Sequence, residues 1–171
     1  IYTAGGSDIE IINGSFYGNS AGQYGGAICL NSSDLELYNS ILWGDTANSV
    51  LKGPEIAHEA GNGVIFVSYC DIQNGKDSIY KNNAALIWDA SNITDPPQFV
   101  NRDNCNLRVT AISPVLDAAD NDRVPTWSTK DRDHNPRFVD TGVEDKGNGI
   151  APIVDIGAYE HPNIIYVWGT D

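Results

Sequence analysis

Apolar and polar positions alternate along this chain over stretches too short for helices. In "DIEII" (residues 8–12) and "DLELY" (34–38), Ile9, Ile11, Leu35 and Leu37 fall on one side and Glu10 and Glu36 on the other. That is the two-residue period of a strand with one buried face. Gly, Asn and Ser separate these stretches, and such residues break strands and favour turns. The segments are also copies of each other. Aligning residues 1–19 with 27–45, an offset of 26, gives identities at Ser7/Ser33, Asp8/Asp34, Glu10/Glu36, Asn13/Asn39 and Gly18/Gly44. Like-for-like exchanges occur at Ile9/Leu35, Ile11/Leu37, Phe16/Leu42 and Tyr17/Trp43. A looser third copy, "VIFVSYCDIQNG" (64–75), follows at an offset of 30 and puts Ile65, Val67 and Ile72 at the apolar places.

A repeat of this length signals stacked units. Each copy holds a strand before the alternating one ("GGAICL"), the alternating strand, and a strand after it ("SILWG"). Three short strands per turn wind into an all-β solenoid, a short parallel β-helix. Its coils pair about 4.8 Å apart, and its core becomes continuous only by stacking. Coils are expected over about 1–120, with irregular insertions around 46–63 and 76–83. An irregular C-terminal cap is expected over about 121–171, with Pro125, Pro136 and Pro152 in loops and "IIYVW" near the end. Asn13 and Asn39 fall at a strand corner. They either hydrogen-bond from coil to coil as a ladder or simply tolerate the turn conformation.

The columns of the repeat sort residues by face. Phe16, Leu42 and Ile72 are always apolar and point inward; Gly14, Ser40 and Cys70, two positions earlier, are always small and also point inward. Tyr17, Trp43 and Gln73 follow the apolar column, and because a buried column rarely accepts Gln they are expected to face solvent. Asp71 shares that face. Rings with an apolar body and a polar edge suit the C–H faces of sugars, while Asp71 and Gln73 could hold hydroxyls. The competing reading is an aromatic stack that only stabilises neighbouring strands, worth about 0.2–1 kcal/mol. Trp88, in "ALIWDA", is expected in the core, and Trp168 against the cap. Trp127, in the loop "VPTWSTK", is a contact candidate.

Composition narrows the partners. The chain has 171 residues and a formal charge of −13, which suits one domain and repels a phosphate backbone. An anionic membrane or a polyanionic glycan is disfavoured as well, and no window is apolar and long enough to span a bilayer. A neutral polysaccharide is not penalised. There is no Met, and Ile1 already lies inside the repeat, so the chain reads as one domain excised from a larger protein. Cys29, Cys70 and Cys105 lack metal-site spacing; the favoured expectation is three buried small residues, the alternative one disulfide and a spare thiol. Asp131, Asp133 and Asn135 alternate as calcium ligands do, without the glycine and distal Glu of an EF-hand. The favoured reading there is a salt-bridged turn tying the cap to Glu160 or Asp155. No catalytic set emerges: Glu10 and Glu36 repeat in register like a solvated face, and His58, His134 and His161 are scattered.

The strings "NSILWG" and "SYCDIQ", then "DPPQFV…LRVTAISPVLDAAD" (95–120) and "KDRDHNPRFVDTG…VDIGAYE" (130–160), resemble secreted bacterial right-handed parallel β-helix proteins related to pectate lyases. The resemblance covers nearly the whole chain, with departures at Ala119 and His134, where the pattern has Gly. It implies a right-handed coil and an extracellular or bacterial cell-surface location. It does not imply one activity, because the fold hosts lyases, hydrolases, adhesins and binding modules. Lyases of the family use calcium-binding acids with a basic residue as base, and no Lys or Arg falls in the aligned strands. More loosely, the chain resembles β-helix carbohydrate-binding modules attached to xylan-degrading enzymes. The expectation is therefore a non-catalytic carbohydrate-binding module for a plant cell-wall polysaccharide such as xylan or β-glucan, covalently linked to a catalytic domain. Tyr17, Trp43, Asp71, Gln73 and Trp127 would form its surface; no cofactor is expected, a structural calcium at Asp131, Asp133 and Asn135 being the alternative to the salt-bridged turn. The alternatives are the C-terminal fragment of a pectate-lyase-like enzyme and a structural or adhesive segment of a surface protein.

Overall fold

The computed structural model describes residues 1–48 and 52–162, and these are all-β. The first repeat forms β1 (Tyr2–Ala4), β2 (Ile9–Ile12), β3 (Ser15–Tyr17) and β4 (Ser20–Ala21). The second forms β5 (Ile28–Asn31), β6 (Leu35–Tyr38), β7 (Ile41–Trp43) and β8 (Thr46–Ala47). The third forms β9 (Ile56–Ala60), β10 (Val64–Ser68) and β11 (Asp71–Ile72). A partial fourth follows as β12 (Ile79–Tyr80) and β13 (Ala85–Trp88). Each strand pairs in parallel with its counterpart in the next repeat, in the orders β1-β5-β9-β12, β2-β6-β10-β13, β3-β7-β11 and β4-β8. A bridge from Asp71 to Ile93 extends the third sheet.

The register follows the repeat. Ile9 lies opposite Leu35, Glu10 opposite Glu36 and Tyr17 opposite Trp43, an offset of 26. Leu35 then meets Ile65 and Leu42 meets Ile72, an offset of 30. The first sheet slips by one: Tyr2 faces Cys29, an offset of 27. The turn at 5–8 has one residue more than the turn at 32–34. Two expected insertions contain strands instead. β9 lies within 46–63 and β12 within 76–83, each bringing an Ile (Ile56, Ile79) beneath the Ile28 column.

Inside the stack, Ile28, Leu30, Leu35, Leu37, Leu42, Ile56, Ile65, Val67 and Ile72 are fully buried, each contributing about 1.5–3 kcal/mol. The parallel stacking ends near Ile93, not at 120. Beyond it, β14 (Phe99–Asn101) and β15 (Asn106–Val109) pair antiparallel. The chain after them packs on the outside of β3-β7-β11. There Ile41 joins Val109, Val115, Leu116, Val154 and Ile156 in a second core, with Trp43, Ile93 and Phe99 at its margin.

The corner asparagines hold this outer layer. Asn13 and Asn39 have φ of 54° and 50°, the left-handed conformation Asn tolerates. Their side chains do not form a ladder. Asn39 Nδ2 donates to the Asp120 carbonyl at 2.9 Å and Asn39 Oδ1 accepts from the Asp120 N–H at 2.8 Å. Asn13 Nδ2 reaches the Asp155 carbonyl at 3.5 Å. In "DIGAYE", a Cβ on Gly157 would stand 2.9 Å from both Ile41 Cδ1 and Ser15 Oγ, so only glycine lets this segment approach so closely. Cys29 and Cys70 are buried and Cys105 is exposed, all three unpaired. Cys105 sits at φ 54° in a surface turn, which is why it escapes the core expected for it. No helix among the described residues is long and apolar enough to cross a membrane. "IIYVW" with Trp168 lies outside the described residues.

Candidate functional site

Tyr17 and Trp43 are neighbours on the outer face of the third sheet, yet both are half-buried. The 96–103 segment lies against them. The Phe99 ring stands edge-on to Tyr17, with centroids 5.7 Å apart and planes at 80°. Trp43 remains open on one side, where it lines a cleft of about 360 Å³ with Pro96, Gln98, Phe99, Asn101 and Arg102. That volume lies within the range of small-ligand sites, roughly 300–1,000 Å³. Two aromatic residues and two amide-bearing residues therefore line one concavity.

The loop opposite Trp43 is fixed by its own backbone. Gln98 takes φ 55°, Asn101 Oδ1 accepts from the Asn104 N–H at 3.2 Å, and the Cys105 N–H closes on the Arg102 carbonyl at 3.0 Å. These bonds hold the short 3-10 turn Arg102–Asn104 over the cleft. Across it, Gln73 is half-buried and its Oε1 accepts from the Gly44 N–H at 2.6 Å, an anchor for the corner next to Trp43.

Asp71 is not on an open face. It is fully buried, and neither carboxylate oxygen has a partner. Its column runs Ser15, Ile41, Asp71, Ile93 and faces the second core. Burial, and then Asp95 nearby, push its pKa up to about 8. It is a neutral acid at pH 7 with no access to a ligand in solvent. The expectation placed the outward face of the sheet in water, whereas the polypeptide after 93 covers most of it. Trp127 is 81% exposed in its loop, as expected, but it does not line the Trp43 cleft. Trp88 packs at the margin of the inner core.

The acidic loop is a salt-bridged turn. Asp131 Oδ1 accepts the N–H groups of Asp133 (2.9 Å) and Asn135 (2.8 Å), and its Oδ2 accepts the Glu160 N–H at 3.1 Å. Asp133 is paired with Arg108, and Glu160 with the buried Arg137 at 3.0 Å. The turn thereby ties 131–137 to the "VDIGAYE" segment through Glu160. Among the described residues, no three His, Cys, Asp or Glu side chains cluster as metal ligands would. His134 occupies φ 66°, a left-handed conformation that favours glycine.

Sequence reasoning missed Phe99, Gln98, Asn101 and Arg102 because they lie outside the repeat. It also missed a buried acid pair where the second repeat crosses to the third. Glu55 and Asp45 are almost fully buried, and burial followed by contact with Asp45 pushes Glu55 up to about 9. Neither a family model, nor a curated protein, nor a solved structure matches the chain.

Proposed function

We propose that the chain is a short right-handed parallel β-helix that serves as a non-catalytic carbohydrate-binding module, exported and joined to a catalytic domain that acts on a plant cell-wall polysaccharide such as xylan or β-glucan. The solenoid reading is supported by parallel sheets whose registers advance by one repeat each. The binding reading rests on one observation: Trp43 and Phe99 line one cleft together with the amide-bearing Gln98 and Asn101. Rings supply flat apolar contact for a sugar face and amides supply both donors and acceptors for its hydroxyls. The site differs from the one the repeat suggests. Tyr17 supports Phe99 from behind, Gln73 anchors the corner, and Asp71 is withdrawn.

Affinity electrophoresis against soluble xylan, mixed-linkage β-glucan, mannan and polygalacturonate tests this. Retardation by a neutral glycan is expected, weakened at least tenfold by Trp43→Ala and only mildly by Trp43→Phe, which keeps a stacking ring. Absence of retardation by every glycan would overturn the reading, as would new reducing ends or unsaturated products during incubation.

A further inference from the structure

Among the described residues, Arg102 is the one basic residue lining the Trp43 cleft, beside the acidic Asp103. We infer that the cleft selects a neutral polysaccharide bearing isolated uronic-acid side groups, with the Arg102 guanidinium receiving the uronate carboxylate while Trp43 and Phe99 hold the sugar rings. This inference rests on the carbohydrate-binding reading of the cleft.

Three other arginines of the outer layer are committed. Arg108 is paired with Asp133, Arg137 with Glu160, and Arg123 lies over the Tyr38 ring at 4.3 Å. Arg102 is different. Its one ionic contact is Nε to Asp103 Oδ1 at 3.9 Å, between side chains 62% and 89% exposed. A pair that long and that exposed contributes little, so the guanidinium is free to turn to a ligand. Among the described residues, its terminal nitrogens make no ion pair. A guanidinium fork takes a carboxylate through two parallel bonds, which a point charge does not reproduce. The turn beneath it is already locked by Asn101 and Cys105, so binding orders only the side chain.

Charge sets the spacing of the ligand's carboxylates. A chain of net charge −13 repels a polymer with an acid on every ring, and does so more at low salt. One uronate per several neutral sugars brings a single charge to a single guanidinium and leaves the rest of the polymer unpenalised.

The test uses a xylan bearing methylglucuronate side groups, the same xylan after chemical reduction of its carboxylates to alcohols, and polygalacturonate. Binding is measured by affinity electrophoresis and calorimetry at pH 7 and low salt. The intact xylan is expected to bind about tenfold more tightly than its reduced form. Arg102→Gln should erase that ratio while retaining binding to the reduced form, Arg102→Lys should restore only part of it, and Trp43→Ala should weaken both. Polygalacturonate should bind worst. Equal affinity for the intact and reduced xylans, with Trp43→Ala still weakening both, would overturn the uronate inference and leave the carbohydrate reading standing. An unchanged ratio in Arg102→Gln, or tightest binding to polygalacturonate, would overturn it too. Failure of both xylans to bind would remove the underlying reading and this inference together. Arg102 is exposed, so thermal unfolding of its variants should match the parent.

Discussion

Asp71 offers a sharp measurement because its environment is so one-sided. The carboxyl is fully buried beneath the outer layer with both oxygens unpartnered, and its folded pKa is raised to about 8. An unfolded aspartate titrates near 3.9. Between roughly pH 4 and pH 8 the folded state therefore holds one proton more than the unfolded state at this site. Stability must fall as pH rises through that window, by about 1.4 kcal/mol per unit. Asp71→Asn removes the titration and leaves a side chain of similar shape. Its unpaired amide carries a cost of about 1–3 kcal/mol, independent of pH. The difference in unfolding free energy, variant minus parent, should therefore climb across the window, gaining roughly 4 kcal/mol between pH 4 and pH 7. Urea unfolding followed by tryptophan fluorescence at pH 4.5, 5.5, 6.5 and 7.5 would read it. The remaining buried acids contribute equally to both proteins and cancel. A difference that stays flat with pH, or falls, would refute the claim that Asp71 is buried and protonated at neutral pH.

Four further outcomes are expected. The parent protein should lose stability from pH 5.5 to pH 8.5, because Asp71, Asp155 (about 7) and Glu55 (about 9) all have folded pKa values raised chiefly by burial; a calorimetric Tm that rises over this range would contradict that sign. Asn39→Ala removes both bonds to Asp120 and places Ala at φ 50°, a loss of about 2–4 kcal/mol in urea unfolding, whereas Asn39→Gly should lose less because it keeps the backbone conformation. Gly157→Ala should cost about 2–4 kcal/mol, since its methyl meets Ile41 and Ser15 at 2.9 Å; proteolysis should then cut first in the outer layer after residue 93. His134→Gly should stabilise by about 0.5–1 kcal/mol, since φ is 66° there and the only hydrogen bond its N–H makes, to the Asp131 carbonyl, is kept; an unchanged or lower Tm would count against backbone strain at that residue.

The repeat in the sequence determined the inner architecture. Alternation at Ile9, Ile11, Leu35 and Leu37 fixed which faces turn inward, and the offsets of 26 and 30 fixed which residues meet across neighbouring strands. These are local properties: a period-two pattern and a conserved spacing suffice for a strand to find its neighbour in register. What lies outside the stack was decided only in three dimensions. Ile41, Leu42 and Trp43 are consecutive apolar residues, the mark of a strand buried on both faces, but nothing local identifies the second cover. It comes from residues more than 50 positions later, through Phe99, Val115 and Ile156. That long-range packing turned an expected open strip of Tyr17, Trp43, Asp71 and Gln73 into a cleft at Trp43 alone, and turned Asp71 into a buried acid. A strand pattern says which side chains leave the plane of a sheet together; whether water or another layer of the chain meets them depends on where distant segments return, and only the folded coordinates hold that information.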